Sequence, residues 1–327
     1  MAENSESFGS FDYSDVTPVS LNAEEPQLCQ ILYDSEYKQV MGLLLALMKK
    51  NEYSERAKHI TELGIEALAS HYTTWIYRFK ILKNLPNTNY FDELDWCEQV
   101  ALDNEKNYQI WNYRQLIIGE LLSNEARETI EARETRIFDP HREYPILEAM
   151  LDSDPKNHHV WTYRKWLVEK FKLYEDAKEL EFVDSAIELD LLNNSAWSHR
   201  FFLKFSHAEA NLKDGEKKKE LLESEIAYAK EKIRGCPQNA SSWNYLLGIY
   251  HKFDRDITEL EGFAREFVDL EKGNVTSSFA MESLAEIYKR KQQYTDSVRQ
   301  YELLRDKYDP IRKNFWEYEI RKVKELS

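Results

Sequence analysis

Two lysines stand at a distinctive place in this chain of 327 residues. Lys106 and Lys156 directly precede Asn107 and Asn157, and each asparagine lies four residues ahead of a tryptophan, Trp111 or Trp161. Asparagine suits a helix N-cap, because its side chain accepts an N–H of the first turn. Helix N-termini favour anions, so lysines at such ends are suited to hold a phosphate group. The other reading is two solvated turn lysines. Further chemistry-bearing patterns are scarce. There is no GxSxG, P-loop or HExxH motif and no Cys/His cluster. The eight histidines are scattered apart from His158-His159. Adjacent histidines on a helix point in different directions, so that pair reads as structural or surface. Cys29, Cys97 and Cys236 lie far apart, without zinc-ligand spacing or the even count of a disulfide framework.

These residues sit inside an internal repeat. Trp75, Trp111, Trp161, Trp197 and Trp243 share one local pattern, with steps of 36, 50, 36 and 46 residues. A unit of about 36 residues with insertions near Ser123–Pro140 and Ser206–Lys219 accounts for all four steps. Each unit reads as a helix pair. Asn107, Asn157, Asn193 and Asn239 are the expected caps, and His71 replaces asparagine in the first unit. Three residues after the tryptophan come Arg78, Arg114, Arg164 and Arg200, then Leu246 in the fifth unit. An arginine on an apolar face needs a partner, since an unpaired buried charge is costly. Thirteen residues before each tryptophan the arginine-bearing units carry Glu62, Glu98, Glu148 and Asp184, while the fifth carries Lys230. The expectation is that these acids pair with the arginines, within a unit or across to a neighbour. The repeated tryptophans and arginines are then core and array glue. Stacked helix pairs of this kind form an all-α fold, an α/α solenoid, or crescent of antiparallel helix pairs. Beyond Phe279 the repeat decays, and Ser278–Tyr288 and Tyr301–Val323 read as closing helices.

Composition agrees with this picture. Nine glycines and eight prolines are too few for a turn-rich β fold or a glycine-loop nucleotide enzyme, while 13% aromatic residues favour packed structure. A net charge of −15 repels nucleic acid and anionic membrane surfaces. The longest apolar run, near Val40–Met48, is too short to span a bilayer, and the opening residues show no leader pattern. A cytoplasmic protein is expected. Residues 1–26 hold six acids and no base and read as a mobile tail, leaving 27–327 as the helical-repeat domain.

The five Asn-x-x-x-Trp-x-x-Arg units resemble the repeat of protein prenyltransferase α subunits. Val16-Thr-Pro-Val, Gln30-Ile-Leu-Tyr-Asp and Ser54-Glu-Arg-Ala resemble that family's opening segments, and Ile311-Arg-Lys-Asn-Phe-Trp316 resembles its closing helix. The similarity runs from about Val16 to Val323. It is greatest to α subunits shared by protein farnesyltransferase and type I geranylgeranyltransferase. The Rab-specific geranylgeranyltransferase α subunit fits less well, and a non-catalytic scaffold is the reading from another class. The resemblance implies a heterodimer in which a β subunit carries the catalytic zinc and most of the isoprenoid pocket. It implies transfer of a farnesyl or geranylgeranyl group from its diphosphate to the cysteine of a C-terminal Ca1a2X motif, with magnesium allowed for farnesyl transfer.

Residue by residue, the resemblance makes Lys106 the lysine that reaches the isoprenoid diphosphate, with Tyr108 against the same pocket. Gln109 matches the glutamine that hydrogen-bonds the substrate's C-terminal carboxylate. Ser70 and Tyr72 fall where the family lines the pocket for the final X residue. Asn157 and His159 match positions near the diphosphate, and His158 stands where the family often has tyrosine. An acidic chain repels an anionic substrate, so the partner is expected to supply most of the positive pocket.

Overall fold

Short polar side chains set where the helices of this protein begin. In the computed structural model, which describes residues 11–22, 28–29, 31–125, 137–206 and 215–326, Asp34 accepts the Tyr37 N–H at 2.7 Å and starts α1 (Ser35–Lys50). Ser54 does the same for α2 (Glu55–Ala67), and Asn89 for α4 (Tyr90–Asp103). The expected asparagine caps form: Asn107 Oδ1 accepts the Gln109 N–H at 2.9 Å ahead of α5 (Tyr108–Glu125). Asn157 accepts from His159 at 3.1 Å ahead of α7 (His158–Phe171). Asn193 and Asn239 likewise cap α9 (Asn194–Phe205) and α11 (Ala240–Lys252). His71 makes no such bond at the start of α3 (Tyr72–Asn84), and its Nδ1 instead lies 2.7 Å from Thr74 Oγ1. The first helices of the later pairs are α6 (Tyr144–Ser153), α8 (Ala177–Leu189) and α10 (Gly215–Gly235). The fold is all-α antiparallel helix pairs, apart from the two-stranded ribbon described below. No helix of the described residues is long and apolar enough to cross a membrane.

Two compact units meet in sequence between Trp166 and Leu167. In the first, α1 buries Val40, Leu43, Leu44 and Leu47 against Ile60 of α2 and Tyr77 and Ile81 of α3. Part of the expected mobile tail belongs to this core. Tyr13 and Val16 are buried, Tyr13 Oη donates to Arg56 O at 2.8 Å, and the Val19 N–H donates to Gly42 O at 3.0 Å. A Cβ at Gly42 would fall 2.9 Å from both Pro18 Cβ and Val19 O, so glycine permits this close approach. The packed body therefore begins by Tyr13 and not at residue 27. Residues 1–10 and 23–27 lie outside the described residues, as do 126–136 and 207–214 within the two insertions. The flanks of those insertions are helical, since α5 runs to Glu125 and α10 starts at Gly215.

Arg78, Arg114 and Arg200 find carboxylates, and in each case the two-pronged partner is not the expected acid. Arg114, fully buried, donates from Nε and Nη2 to both oxygens of Glu143 at 2.8 and 2.7 Å. Glu143 also accepts from Tyr163 Oη at 2.8 Å. Arg78 pairs in the same two-pronged way with Glu93, which also accepts from Tyr113 Oη at 2.7 Å. In the second unit Arg200 pairs with Glu225, which accepts from Tyr245 Oη at 2.7 Å, and His199 Nε2 lies 2.6 Å from Glu179. Glu93, Glu143, Glu179 and Glu225 stand eighteen residues before the repeat tryptophans Trp111, Trp161, Trp197 and Trp243. Of the expected acids, Glu62 and Asp184 serve Arg78 and Arg200 as additional acceptors. Glu98 and Glu148 form no ion pair among the described residues, and Glu148 faces solvent. Burial alone would lower the Arg114 pKa, but the Glu143 carboxylate outweighs it and raises it. Arg164 is also fully buried, its guanidinium 4.9 Å from the centre of the Tyr144 ring.

Two features near the end depart from expectation. Val268–Asp269 and Asn274–Val275 form a small antiparallel ribbon in the register Val268↔Val275, with Gly273 at φ 67° in its turn. After α12 (Glu261–Arg265) and α13 (Ser278–Arg290), the single expected helix over Tyr301–Val323 is broken in two. α14 (Tyr294–Leu303) passes through a π-turn at Leu304–Tyr308, and α15 starts afresh at Lys313 and runs to Leu326. Pro310 supplies the reason, because it has no N–H to continue the ladder and disfavours helical geometry at Asp309.

Candidate functional site

The N-terminal ends of α3, α5 and α7 are stitched side by side within the first unit. The amide of each cap asparagine reaches back to the turn of the preceding helix pair. Asn107 Nδ2 donates to Ala69 O at 2.7 Å, and Asn157 Nδ2 to Glu105 O at 2.8 Å. One side chain thus caps its own helix and fixes it to its neighbour. This places Ser70 beside Gln109, and Lys106 and Tyr108 beside the head of α7.

Lys106 stands on the turn before α5 with its side chain 66% exposed. Its ammonium contacts the carboxylate of Asp154, on the turn before α7. That hydrogen bond, followed by one from the Lys156 N–H, holds the Asp154 carboxyl below the usual range. Tyr108, half exposed, has its ring centre 6.0 Å from that of His159. The rings of His158 and His159 are 3.7 Å apart, so the adjacent histidines do share one place despite their expected divergence. Gln109 is buried and donates from Nε2 to Ser70 O at 2.9 Å, which leaves its amide a second N–H. Tyr72 and Ser70 are exposed. Asn157 is buried, with its amide engaged in the two structural bonds already described.

The cluster therefore offers one mobile ammonium, a phenol, an imidazole and an amide donor around the heads of two helices. These are groups suited to an oxyanion. Asp154 is the member that the sequence reading missed. Its signal was an acid two residues before Lys156, in the turn that faces Lys106. Burial, then the neighbouring His158 and the Lys106 charge, push the His159 pKa below the usual imidazole range. These surroundings favour the neutral imidazole. An anion brought beside it favours the imidazolium. Adding inorganic diphosphate to the assembled protein should raise the His159 pKa, as followed by its ring resonances in an NMR titration. An unchanged pKa would show that the anion does not reach this ring. Among the described residues no group of three or more His, Cys, Asp or Glu is placed to hold a metal ion.

Known proteins match both the repeats and the whole chain. The profile described as "Protein prenyltransferase alpha subunit repeat" matches residues 90–121, 140–171, 176–203 and 222–253. The chain is 64% identical over 313 residues to the protein farnesyltransferase/geranylgeranyltransferase type-1 subunit alpha of Candida albicans, covering 96% of this chain and 97% of that protein. The Dictyostelium discoideum subunit of the same name is 28% identical over 316 residues, covering 95% of this chain and 92% of that protein. Among solved structures, a chain of Candida albicans protein geranylgeranyltransferase-I complexed with GGPP superposes with a TM-score of 0.87 at 63% identity. That match covers 96% of this chain and 99% of the other. Sequence repeats, a full-length relative and backbone geometry agree, and the chain belongs to the family of α subunits of protein farnesyltransferase and type I geranylgeranyltransferase.

Proposed function

We propose that this α subunit joins a β subunit in the cytoplasm to transfer a farnesyl or geranylgeranyl group from its diphosphate to the cysteine of C-terminal Ca1a2X proteins. The observation that carries the reading is the placement of Lys106, an accessible ammonium at the head of α5, inside a chain that matches the type-1 α subunit over nearly its full length. As the isoprenoid carbon–oxygen bond breaks, negative charge grows on the departing diphosphate. Lys106 meets that charge, with the Tyr108 hydroxyl and the His159 imidazole as further hydrogen-bonding groups. The free N–H of Gln109 is the donor for the C-terminal carboxylate of the protein substrate. Ser70 and Tyr72 border the place of its last residue. Asn157 holds the head of α7 against the turn that carries Lys106.

The described residues do not fit a zinc site. In this reading zinc, and any magnesium used in farnesyl transfer, belong with the β subunit. The net charge of −15 points the same way for the substrate, since the positive surface for an isoprenoid diphosphate has to come largely from the partner. Purified α subunit alone should therefore show no prenyl transfer to a Ca1a2X peptide. Co-expression with the β subunit of farnesyltransferase or of type I geranylgeranyltransferase should give a heterodimer on gel filtration and turnover. Activity from the isolated chain would overturn the division of labour. Failure to assemble with either β subunit would return the protein to the scaffold reading.

A further inference from the structure

Asp154 is an odd neighbour for a lysine that meets a diphosphate, because its carboxylate competes for the same ammonium. The carboxylate is itself firmly held. Its Oδ1 accepts the Lys156 N–H at 3.1 Å, while its backbone N–H donates to Met150 O at 3.0 Å and its carbonyl accepts from Asn157 at 3.0 Å. Lys106 has a flexible four-carbon stem and is the more exposed partner, 66% against 31% for Asp154. Of the two, the lysine is free to move. The turn itself does not call for a charge. Asn104 occupies the same register one unit earlier, seven residues before Trp111 as Asp154 is before Trp161. There the neutral amide donates to Val100 O at 2.9 Å. Leu68 and Cys236 hold that register before Trp75 and Trp243, and Asp190 repeats the acid before Trp197, where its Oδ1 accepts the Leu192 N–H at 2.9 Å.

Resting on the role proposed for Lys106, we propose that Asp154 is a positioning residue. It holds the Lys106 ammonium beside the heads of α5 and α7 when no diphosphate is present, and it competes with diphosphate for that ammonium. Accessible ion pairs are weak enough for a polyanionic diphosphate to displace the carboxylate. Once displaced, the carboxylate stays within reach of the ammonium and recaptures it as the anion leaves. Asp154 thus pre-places the lysine for substrate and loosens the hold on product. The mechanism gives removal of the carboxylate a definite sign. A purely structural acid, once replaced, would weaken anion binding or leave it alone, whereas loss of a competitor strengthens it.

The test uses the assembled heterodimer with Asp154→Asn, which keeps an oxygen for the Lys156 N–H, and inorganic diphosphate as the competitive probe. With Lys106 present, the inhibition constant for diphosphate should fall about three- to fivefold. Raising the salt should shrink that difference. Asp154→Glu should restore wild-type inhibition. In a Lys106→Ala background the Asp154→Asn change should lose most of its effect, because the acid acts through the lysine. Unchanged or weaker diphosphate inhibition in Asp154→Asn overturns the proposal, as does equal tightening in both backgrounds. Lys106→Ala alone reports separately on the underlying reading. If it leaves diphosphate inhibition unchanged, the role of Lys106 fails, and the inference about Asp154 fails with it.

Discussion

Replacing Lys106 with alanine should lower kcat for prenyl transfer by about 30- to 1,000-fold while leaving the heterodimer assembled. That range corresponds to about 2–4 kcal/mol of lost transition-state stabilisation, typical for deletion of one donor from a site of developing negative charge. The side chain is 66% exposed, so its removal opens no cavity in the helix pairs. Stability and assembly should therefore be spared. On the roles proposed for Lys106 and Gln109, the loss should appear in kcat more than in peptide KM. Lys106→Arg keeps the positive charge and should recover part of the rate. Steady-state kinetics on an assembled mutant within about threefold of wild type would reduce Lys106 to a solvated turn residue.

The second large effect concerns the scaffold. Glu143→Leu should destabilise the protein by about 3–5 kcal/mol, because it strands the fully buried Arg114 without its carboxylate. It also leaves the buried Tyr163 hydroxyl without the acceptor at 2.8 Å. Adding Arg114→Met should recover much of the loss, since removing both charges is far cheaper than orphaning one. By contrast, Arg265→Ala breaks a pair in which the arginine is 58% exposed, and should cost at most about 1 kcal/mol. Urea denaturation of the variants checks all three. A loss under about 1 kcal/mol for Glu143→Leu would show that Arg114 finds another partner.

The misplaced carboxylate shows what periodicity reveals and what it hides. Tryptophan spacing located the units, and the asparagines located the helix starts, because both signals are local. The arginines were legible as buried charges in need of partners. The choice of partner was not, because like positions along a repeat do not reveal which of them touch. Glu62 and Asp184 share their unit with Arg78 and Arg200 and do bond to them, whereas the deeper carboxylates Glu93 and Glu225 come from the following pair. A glutamate eighteen residues before four of the five tryptophans was visible in the sequence. It stood outside the pair in which a partner was sought. The site behaved similarly. Lys106 was marked by its place at a helix head, and Tyr108 and His159 by the family resemblance, but Asp154 stands across on a turn of the next unit. At the other end of the chain, an acidic composition concealed Tyr13 and Val16, whose burial depends on the absence of a side chain at Gly42.

The stitches between units use one backbone oxygen twice. Ala69 O accepts from both Trp75 Nε1 and Asn107 Nδ2, at 2.8 and 2.7 Å, and Leu191 O accepts from both Trp197 Nε1 and Asn239 Nδ2. Pro155 O and Pro237 O receive their own tryptophans in the same way. A carbonyl has two lone pairs whatever side chain its residue bears, so alanine, leucine and proline serve equally. The joint is therefore blind to substitution at the very residue that forms it. Evolution is free to vary the chemistry displayed on these turns, including the acid at Glu105 next to Lys106, without altering how one repeat is bolted to the next. The display on these turns is thereby open to mutational drift, while the stitches beneath it persist.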